Sequence, residues 1–138
     1  MANQVLAIDI GGTKMAAAIV DEHGTVAHER QAPTRAPTGD GLFEVLVSIC
    51  DGVFAESGTS ATEILGIGVG CGGPMRYPEG LVSPLNIGVW REFPLRERLQ
   101  QRYGRPTIVD NDAKAYALGE YWIGGGAGAK YPDRARTT

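Results

Sequence analysis

The sequence has few of the residues that build metal centres, disulfide frameworks or membrane spans. Only two cysteines and two histidines occur among 138 residues, and neither type has the spacing of metal ligands. We therefore expect no zinc site in this chain and a reduced, cytoplasmic setting. No apolar run approaches the ~20 residues that a membrane-spanning helix needs, so no membrane partner is expected.

Excess positive charge is also absent. The chain has 13 basic and 16 acidic residues, a formal net charge of −3, which gives no electrostatic reason to expect a nucleic-acid partner. With 43% hydrophobic residues, the composition is that of one globular domain with a real core. Glycine is abundant, with 20 residues at turn-like places, which favours a fold with close backbone approaches.

The first third of the chain has the pattern of antiparallel strands. Residues 4–10, QVLAIDI, are apolar and β-branched and stop at Gly11-Gly12. The N-terminus lacks the basic start and cleavage site of a signal peptide, so this run predicts a strand. KMAAAIVD and TVAHERQAP follow as two further strands, and residues 32–39, rich in Pro and Thr, predict a loop.

From Asp40 onward, helices and strands alternate. Apolar residues at helical spacing predict an amphipathic helix that carries Cys50 on its buried stripe. ILGIGVG predicts a strand, with Cys71 at its end in a position that could be exposed. FPLRERLQQRYG predicts a helix with Pro94 in its first turn and Gly104 at its C-terminal cap. PTIVD then predicts a strand and AKAYALGEYW a helix.

These elements together predict an α/β fold. Three antiparallel strands followed by βα units indicate a mixed five-stranded sheet flanked by helices. We find no internal repeat and no linker that would separate two domains.

The segment DIGGTK, residues 9–14, has the composition of an anion-binding turn. Gly11 and Gly12 allow backbone N–H groups to approach an anion, Thr13 adds a hydroxyl and Lys14 a positive charge. Asp9 at the strand end could hold Mg²⁺ through water. A plain hairpin turn, for which Gly-Gly is equally suited, explains the residues as well.

Other segments also allow two interpretations. GVGCGGPM, residues 68–75, could meet a polyol or a phosphate, but a turn explains it equally well. Trp90 is expected to be a packing residue. In TIVDNDAKAYALGE, residues 107–120, Asp110 and Asp112 end an apolar run, and on this stretch alone we favour a helix N-cap.

Taken in order, four segments resemble the ROK family of repressors and sugar kinases, within the superfamily of sugar kinases, Hsc70 and actin. DIGGTK resembles the family's first phosphate motif, GIGVGCGGPM its glycine-rich loop and LVSPLNIGVWREFPLRERL the segment leading to the sugar. VDNDAKAYALGE resembles the ENDANAAALGE block, with Asp110 for Glu and Lys114 for Asn. The resemblance runs from residue 5 to about residue 128.

The resemblance implies the N-terminal lobe of the actin-like ATPase, or ribonuclease H-like, fold. It also implies ATP-dependent phosphorylation of a hexose 6-hydroxyl, as in a ROK glucokinase, with Asp112 as the base. Gly73, Asn86, Asn111 and Asp112 would bind the sugar, and Asp9, Gly11, Gly12, Thr13 and Lys14 would bind ATP, with Mg²⁺ on Asp9 through water. The family further implies a homo-oligomer for the full-length form.

The later family blocks, GTGIGGG and ExGH, are not found in the sequence. We therefore expect a kinase lobe over residues 1–124 and an irregular tail over 125–138, from truncation or a frameshift, and a polypeptide with weak activity or none. The alternatives are a non-catalytic remnant and the sugar-binding part of a ROK-type transcriptional repressor. The residues do not identify which sugar is phosphorylated, nor do they identify the phosphate donor beyond the resemblance to ATP-using enzymes.

Overall fold

The computed structural model describes residues 3–76 and 79–110 of the chain, and these form a mixed sheet with helices. In the described part of the chain, no helix is long and apolar enough to cross a membrane. The elements, in order, are β1 Gln4–Ile10, β2 Lys14–Asp21, β3 Val26–Pro33, α1 Gly39–Ser57, a 3₁₀ turn Ala61–Glu63, β4 Ile67–Cys71, β5 Met75–Arg76, β6 Leu81–Val82, β7 Phe93–Pro94, α2 Leu95–Tyr103 and β8 Thr107–Asp110.

The main sheet has five strands in the order β3-β2-β1-β4-β8. Strands β1, β2 and β3 are antiparallel neighbours, whereas β4 runs parallel to both β1 and β8. The predicted mixed five-stranded sheet is confirmed, and β1 has the predicted bounds. Because β1, β4 and β8 are parallel, their carboxyl ends meet at one edge of the sheet.

Helix α1 forms where the helical periodicity predicts it. The hydroxyl oxygen of Thr38 accepts a hydrogen bond of 2.9 Å from the Gly41 N–H, which caps the N-terminus. Gly58, with φ 74°, ends the helix in the left-handed conformation. The buried stripe of the helix, Cys50 included, joins one hydrophobic cluster with residues of β1, β2 and β4.

Helix α2 begins one residue later than the position of Pro94 predicts. Pro94 belongs to β7 and occupies the N-cap position without a capping hydrogen bond from its side chain, so its predicted place in the first turn is wrong. Gly104 ends the helix as predicted, with φ 68°. The helix is joined to α1 by Asp51, whose carboxylate accepts from Arg102 at 2.7 Å and from the Tyr103 hydroxyl at 2.8 Å. This contact fixes the chain just before β8.

A second, three-stranded sheet in the order β5-β6-β7 was not predicted. Each strand has only two residues, which is too short to show a periodicity of two. It brings the loop after β4 close to the segment before α2, because Met75 pairs with Val82 and Val82 with Phe93.

The expectation that Cys71 could be exposed is wrong. Its relative exposure is 3%, because β4 lies between β1 and β8. Burial raises the pKa of the Cys71 thiol to about 12, and the negative charge of Asp9 adds to the effect. The predicted helix AKAYALGEYW and the predicted division at residue 124 lie outside the described residues.

Candidate functional site

The carboxyl edge of β1, β4 and β8 collects several of the predicted site residues. Asp9 is in register with Gly70, and Gly70 with Asp110, so all three lie on one face of the sheet. Gly70, which lies between them on β4, is buried and has no side chain. With strands ~4.8 Å apart, the two aspartates are separated by two strand spacings. Asp9 is exposed, whereas Asp110 is 2% exposed.

The Gly11–Lys14 loop, which joins β1 to β2 and includes the first residue of β2, is a closed turn. The Gly11 N–H donates to the Lys14 carbonyl at 2.9 Å. Neither Gly11 nor Gly12 has a positive φ, so the turn is not the Gly-Gly type that hairpins favour. The backbone conformation of the turn therefore does not explain the glycine at position 12.

Close approach of a distant segment explains that glycine. A Cβ added to Gly12 would lie 2.9 Å from the Cβ of Asn86, well inside the ordinary carbon–carbon separation of ~3.5–4.0 Å. The predicted phosphate loop and the predicted sugar-binding Asn86 therefore touch, although they are far apart in the sequence. The contact brings the DIGGTK turn, which the sequence leaves open between an anion-binding turn and a plain hairpin turn, next to the predicted sugar-binding residue Asn86.

The segment that carries Asn86 is fixed by Trp90. Trp90 is fully buried, its indole Nε1–H donates to the Gly39 carbonyl at 3.0 Å, and its ring stacks on Phe93 at 4.8 Å. The predicted packing role of Trp90 is confirmed. Since Gly39 begins α1, the indole ties the Asn86 segment to that helix.

Main-chain hydrogen bonds brace the same segment at both ends. The Ser83 N–H donates to the Pro74 carbonyl at 3.0 Å, and the Ile87 N–H donates to the Pro84 carbonyl at 3.1 Å. The Ser83 hydroxyl accepts from the Glu92 N–H at 2.7 Å. Asn86 is thus an exposed residue on a braced loop.

Gly73, half-buried, lies in the loop that follows β4. Because Cys71 at the end of β4 pairs with Ile10 at the end of β1, this loop and the Gly11–Lys14 loop leave the sheet side by side. Beyond Gly73 is a pocket of ≈ 200 Å³, whose rim carries the Arg76–Glu92 ion pair at 3.1 Å. Its lining is Pro74, Met75, Arg76, Leu81, Ser83 and Glu92, and none of these was a predicted site residue.

Sequence reasoning missed Thr34, which lies just beyond β3. The Thr34 hydroxyl donates to the Gly11 carbonyl at 2.8 Å, and the Thr34 N–H donates to the Thr13 carbonyl at 2.9 Å. The composition of the surrounding APTRAPTG predicts only a loop. No local pattern distinguishes Thr34 from Thr38, the other threonine of that stretch.

The acidic residues of the site suit a magnesium–phosphate complex better than a metal cage built from protein ligands. Over residues 3–76 and 79–110, no group of three or more His, Cys, Asp or Glu side chains could hold a metal ion. Mg²⁺ commonly binds through one or two carboxylates, with water and substrate phosphates completing its shell. Asp9, exposed beside the Gly11–Lys14 loop, fits that requirement.

Two of the predicted residues, Asn111 and Asp112, lie outside the described residues. The structure does place Asp110, which directly precedes them in the chain, at the carboxyl edge. Of the predicted site, the edge thus brings together Asp9, the Gly11–Lys14 loop, Gly73 and Asn86.

Comparison with known sequences gives a family match over most of the chain. The sequence model of the ROK family matches residues 5–131. The glucokinase of Streptomyces coelicolor is 37% identical over 123 residues, which cover 89% of this chain and 37% of that enzyme. The N-acetylmannosamine kinase of Salmonella newport is 38% identical over 120 residues, which cover 84% of this chain and 38% of that enzyme.

Comparison with solved structures agrees. The crystal structure of a ROK family glucokinase from Streptomyces griseus, in complex with glucose and AMPPNP, superposes with a TM-score of 0.70 and 34% sequence identity. The match covers 90% of this chain and 38% of that one. The chain therefore spans somewhat over a third of the length of the relatives that it matches.

Proposed function

Because this chain belongs to the ROK family, we propose that it supplies the sugar-binding and first phosphate-binding parts of an ATP-dependent hexose kinase of the glucokinase type. The contact between Gly12 and Asn86 is the observation that supports this most directly. It joins the loop proposed for phosphate to the residue proposed for sugar, at the edge of the sheet where ligands of α/β proteins commonly bind.

In this proposal Asp112 is the base that accepts the proton of the hexose 6-hydroxyl. An ionised carboxylate is an acceptor at neutral pH, and phosphoryl transfer otherwise needs mainly positioning and charge neutralisation. Asn111, with an amide that both donates and accepts, would hold sugar hydroxyls together with Asn86 and Gly73. Asp110, buried at the end of β8, would support the turn that carries these residues.

The phosphates of ATP would meet Gly11, Gly12, Thr13 and Lys14. The exposed loop offers N–H groups, a hydroxyl and an ammonium group, and all of these are donors to an anion. Mg²⁺, held by Asp9 through water, would neutralise phosphate charge when bound. The AMPPNP complex of the Streptomyces griseus glucokinase supports ATP as the donor.

Glucose is the first sugar to test, because the Streptomyces coelicolor relative is a glucokinase. The Salmonella newport relative, at a similar identity, is an N-acetylmannosamine kinase, so that sugar is the second. We expect the kinase to act in the cytoplasm without a nucleic-acid partner, and its full-length form to be a homo-oligomer.

A polypeptide of these 138 residues is expected to turn over slowly by itself. The 123 residues that match the Streptomyces coelicolor glucokinase cover 37% of the length of that enzyme. The remainder of such an enzyme would complete the nucleotide cleft and exclude water by closure, and both contribute to transition-state stabilisation.

A chimera tests the proposal directly. In the chimera, this chain replaces the matched segment of the Streptomyces coelicolor glucokinase. Phosphorylation of glucose by the chimera is measured in a coupled assay, and the unmodified Streptomyces coelicolor glucokinase serves as the reference. The proposal predicts turnover by the chimera and little by the 138-residue chain. A folded chimera, verified by circular dichroism, that phosphorylates neither glucose nor N-acetylmannosamine would contradict it and favour the repressor or remnant alternative.

Two matched substitutions then test the base. Asp112→Asn and Asp110→Asn each remove one carboxylate while preserving size. Loss of a general base costs about 10²–10⁴-fold, so Asp112→Asn should lower kcat by that factor, with Asp110→Asn within about tenfold of the unsubstituted chimera. If Asp112→Asn also stays within tenfold, about 1.4 kcal/mol of barrier, Asp112 is a helix cap and not the base.

A further inference from the structure

The Gly11–Lys14 loop has its main-chain acceptors occupied. The Gly11 carbonyl accepts from the Thr34 hydroxyl, the Thr13 carbonyl accepts from the Thr34 N–H, and the Lys14 carbonyl accepts from the Gly11 N–H. Each of these hydrogen bonds is 2.8 or 2.9 Å long. Three of the four loop carbonyls are therefore held by hydrogen bonds within the fold.

The N–H groups of the same loop are bonded less completely than its carbonyls. Within the described residues, the N–H groups of Gly12 and Thr13 donate to no backbone carbonyl outside the regular elements and to no side chain. All four loop residues are exposed, and Lys14 adds a positive charge. A loop whose carbonyls are hydrogen-bonded within the fold, while the N–H groups of Gly12 and Thr13 are not bonded in this way, favours an anion over a cation.

We propose that Thr34 is a positioning residue that holds this loop in the anion-receiving orientation. Thr34 donates hydrogen bonds to the carbonyls of Gly11 and Thr13, the residues on either side of Gly12. Thr34 is half-buried. Without the hydroxyl, the Gly11 carbonyl loses its partner and the Gly11–Gly12 peptide can rotate toward the ligand. The inference rests on the proposed function only in taking the anion to be the triphosphate of a nucleotide.

Matched substitutions isolate the hydroxyl. Thr34→Val removes the donor and keeps the shape, whereas Thr34→Ser keeps the donor. Thr25→Val makes the same change in the turn between β2 and β3, where the Thr25 N–H donates to Asp21 but the hydroxyl bonds to none of the described residues. Thermal unfolding and amide dispersion show whether each variant folds.

The probe is tripolyphosphate, titrated into the ¹⁵N-labelled full chain and followed through the amide signals of Gly12 and Thr13. Both amides should shift in the unsubstituted chain, in Thr34→Ser and in Thr25→Val. A hydrogen bond contributes ~1 kcal/mol, so Thr34→Val should weaken the apparent Kd about fivefold. A fivefold loss of tripolyphosphate affinity in Thr34→Val, without such a loss in Thr34→Ser, would show that the hydroxyl positions the loop and that the effect does not come from general destabilisation of the fold.

Equal affinity in Thr34→Val and in the unsubstituted chain would overturn the inference. So would the absence of shifts at Gly12 and Thr13 in every variant, because the loop would then receive no phosphate. The proposed function has a separate readout, the hexose phosphorylation of the chimera. In that chimera, Thr34→Val should raise the KM for ATP about fivefold and leave the KM for glucose unchanged.

Discussion

The contact of Gly12 with Asn86 gives a stability prediction with an internal control. In Gly12→Ala, the new Cβ would lie 2.9 Å from the Asn86 Cβ. Ordinary carbon–carbon contacts are ~3.5–4.0 Å, so one of the two segments must move by about 0.6–1 Å. Because the φ of Gly12 is not positive, alanine adds no strain of the left-handed region, and the destabilising part of the effect comes from this contact.

The Asn86 segment cannot move that far without loss elsewhere. The Trp90 indole holds it to Gly39, and the Ser83 N–H holds it to the Pro74 carbonyl. Overpacking of this kind costs ~1–3 kcal/mol. We expect Gly12→Ala to lower the free energy of unfolding by about that amount.

Urea unfolding followed by far-UV circular dichroism measures the effect, and an unchanged m-value confirms that only stability has changed. Gly72→Ala is the matched control in the neighbouring loop, because a Cβ there meets nothing within 4 Å. Gly72→Ala should be neutral or stabilising by up to ~1 kcal/mol. In the Asn86→Gly background, the cost of Gly12→Ala should largely disappear.

Two results would refute the reasoning. In the first, Gly12→Ala is no more costly than Gly72→Ala. In the second, Gly12→Ala costs the same with or without the Asn86 side chain, which a double-mutant cycle would reveal as an interaction energy near zero. Either result would mean that the two segments do not touch in solution.

Two further predictions concern the buried side chains. Trp90→Phe removes the donor to the Gly39 carbonyl and should lower the free energy of unfolding by ~1–3 kcal/mol; a loss under about 0.5 kcal/mol by urea titration would contradict the anchoring role. Cys50 and Cys71, both buried, should react with a thiol reagent at pH 8 only after unfolding. Because burial raises the pKa of Cys71 from 9.0 to about 12, the unfolded state releases this proton first, so stability should fall as the pH rises through that range. In Cys71→Ala the free energy of unfolding should fall less over the same pH range. An equal fall would refute the conclusion that ionisation of Cys71 causes part of it.

The sequence predicted the elements that have a strong local pattern. Strand β1 is a continuous apolar run that stops at Gly11-Gly12, and the buried stripe of α1 repeats every three to four residues. Both were found where expected. The five-stranded sheet followed from the order of such elements. Gly104 was also placed correctly, because a left-handed cap depends on one residue alone.

Features that depend on distant contacts were not predicted. The reason for glycine at position 12 is the Cβ of Asn86, and no local pattern records that neighbour. The sequence left Cys71 in a position that could be exposed, because its own segment does not reveal the strand order that buries it. In the sequence Thr34 is not distinguished from Thr38, and only the fold places it against the Gly11–Lys14 loop.

Because β2 runs antiparallel to β1, the turn at its far end lies away from the Gly11–Lys14 loop. The turn between β2 and β3 is closed by Asp21, whose carboxylate accepts from the N–H groups of His23 and Thr25. Since β2 has eight residues, at ~3.3 Å per residue this turn is about 25 Å from the Gly11–Lys14 loop. A fluorophore or an immobilisation tag at exposed His23 would therefore report on the chain, or tether it, without crowding the ligand edge.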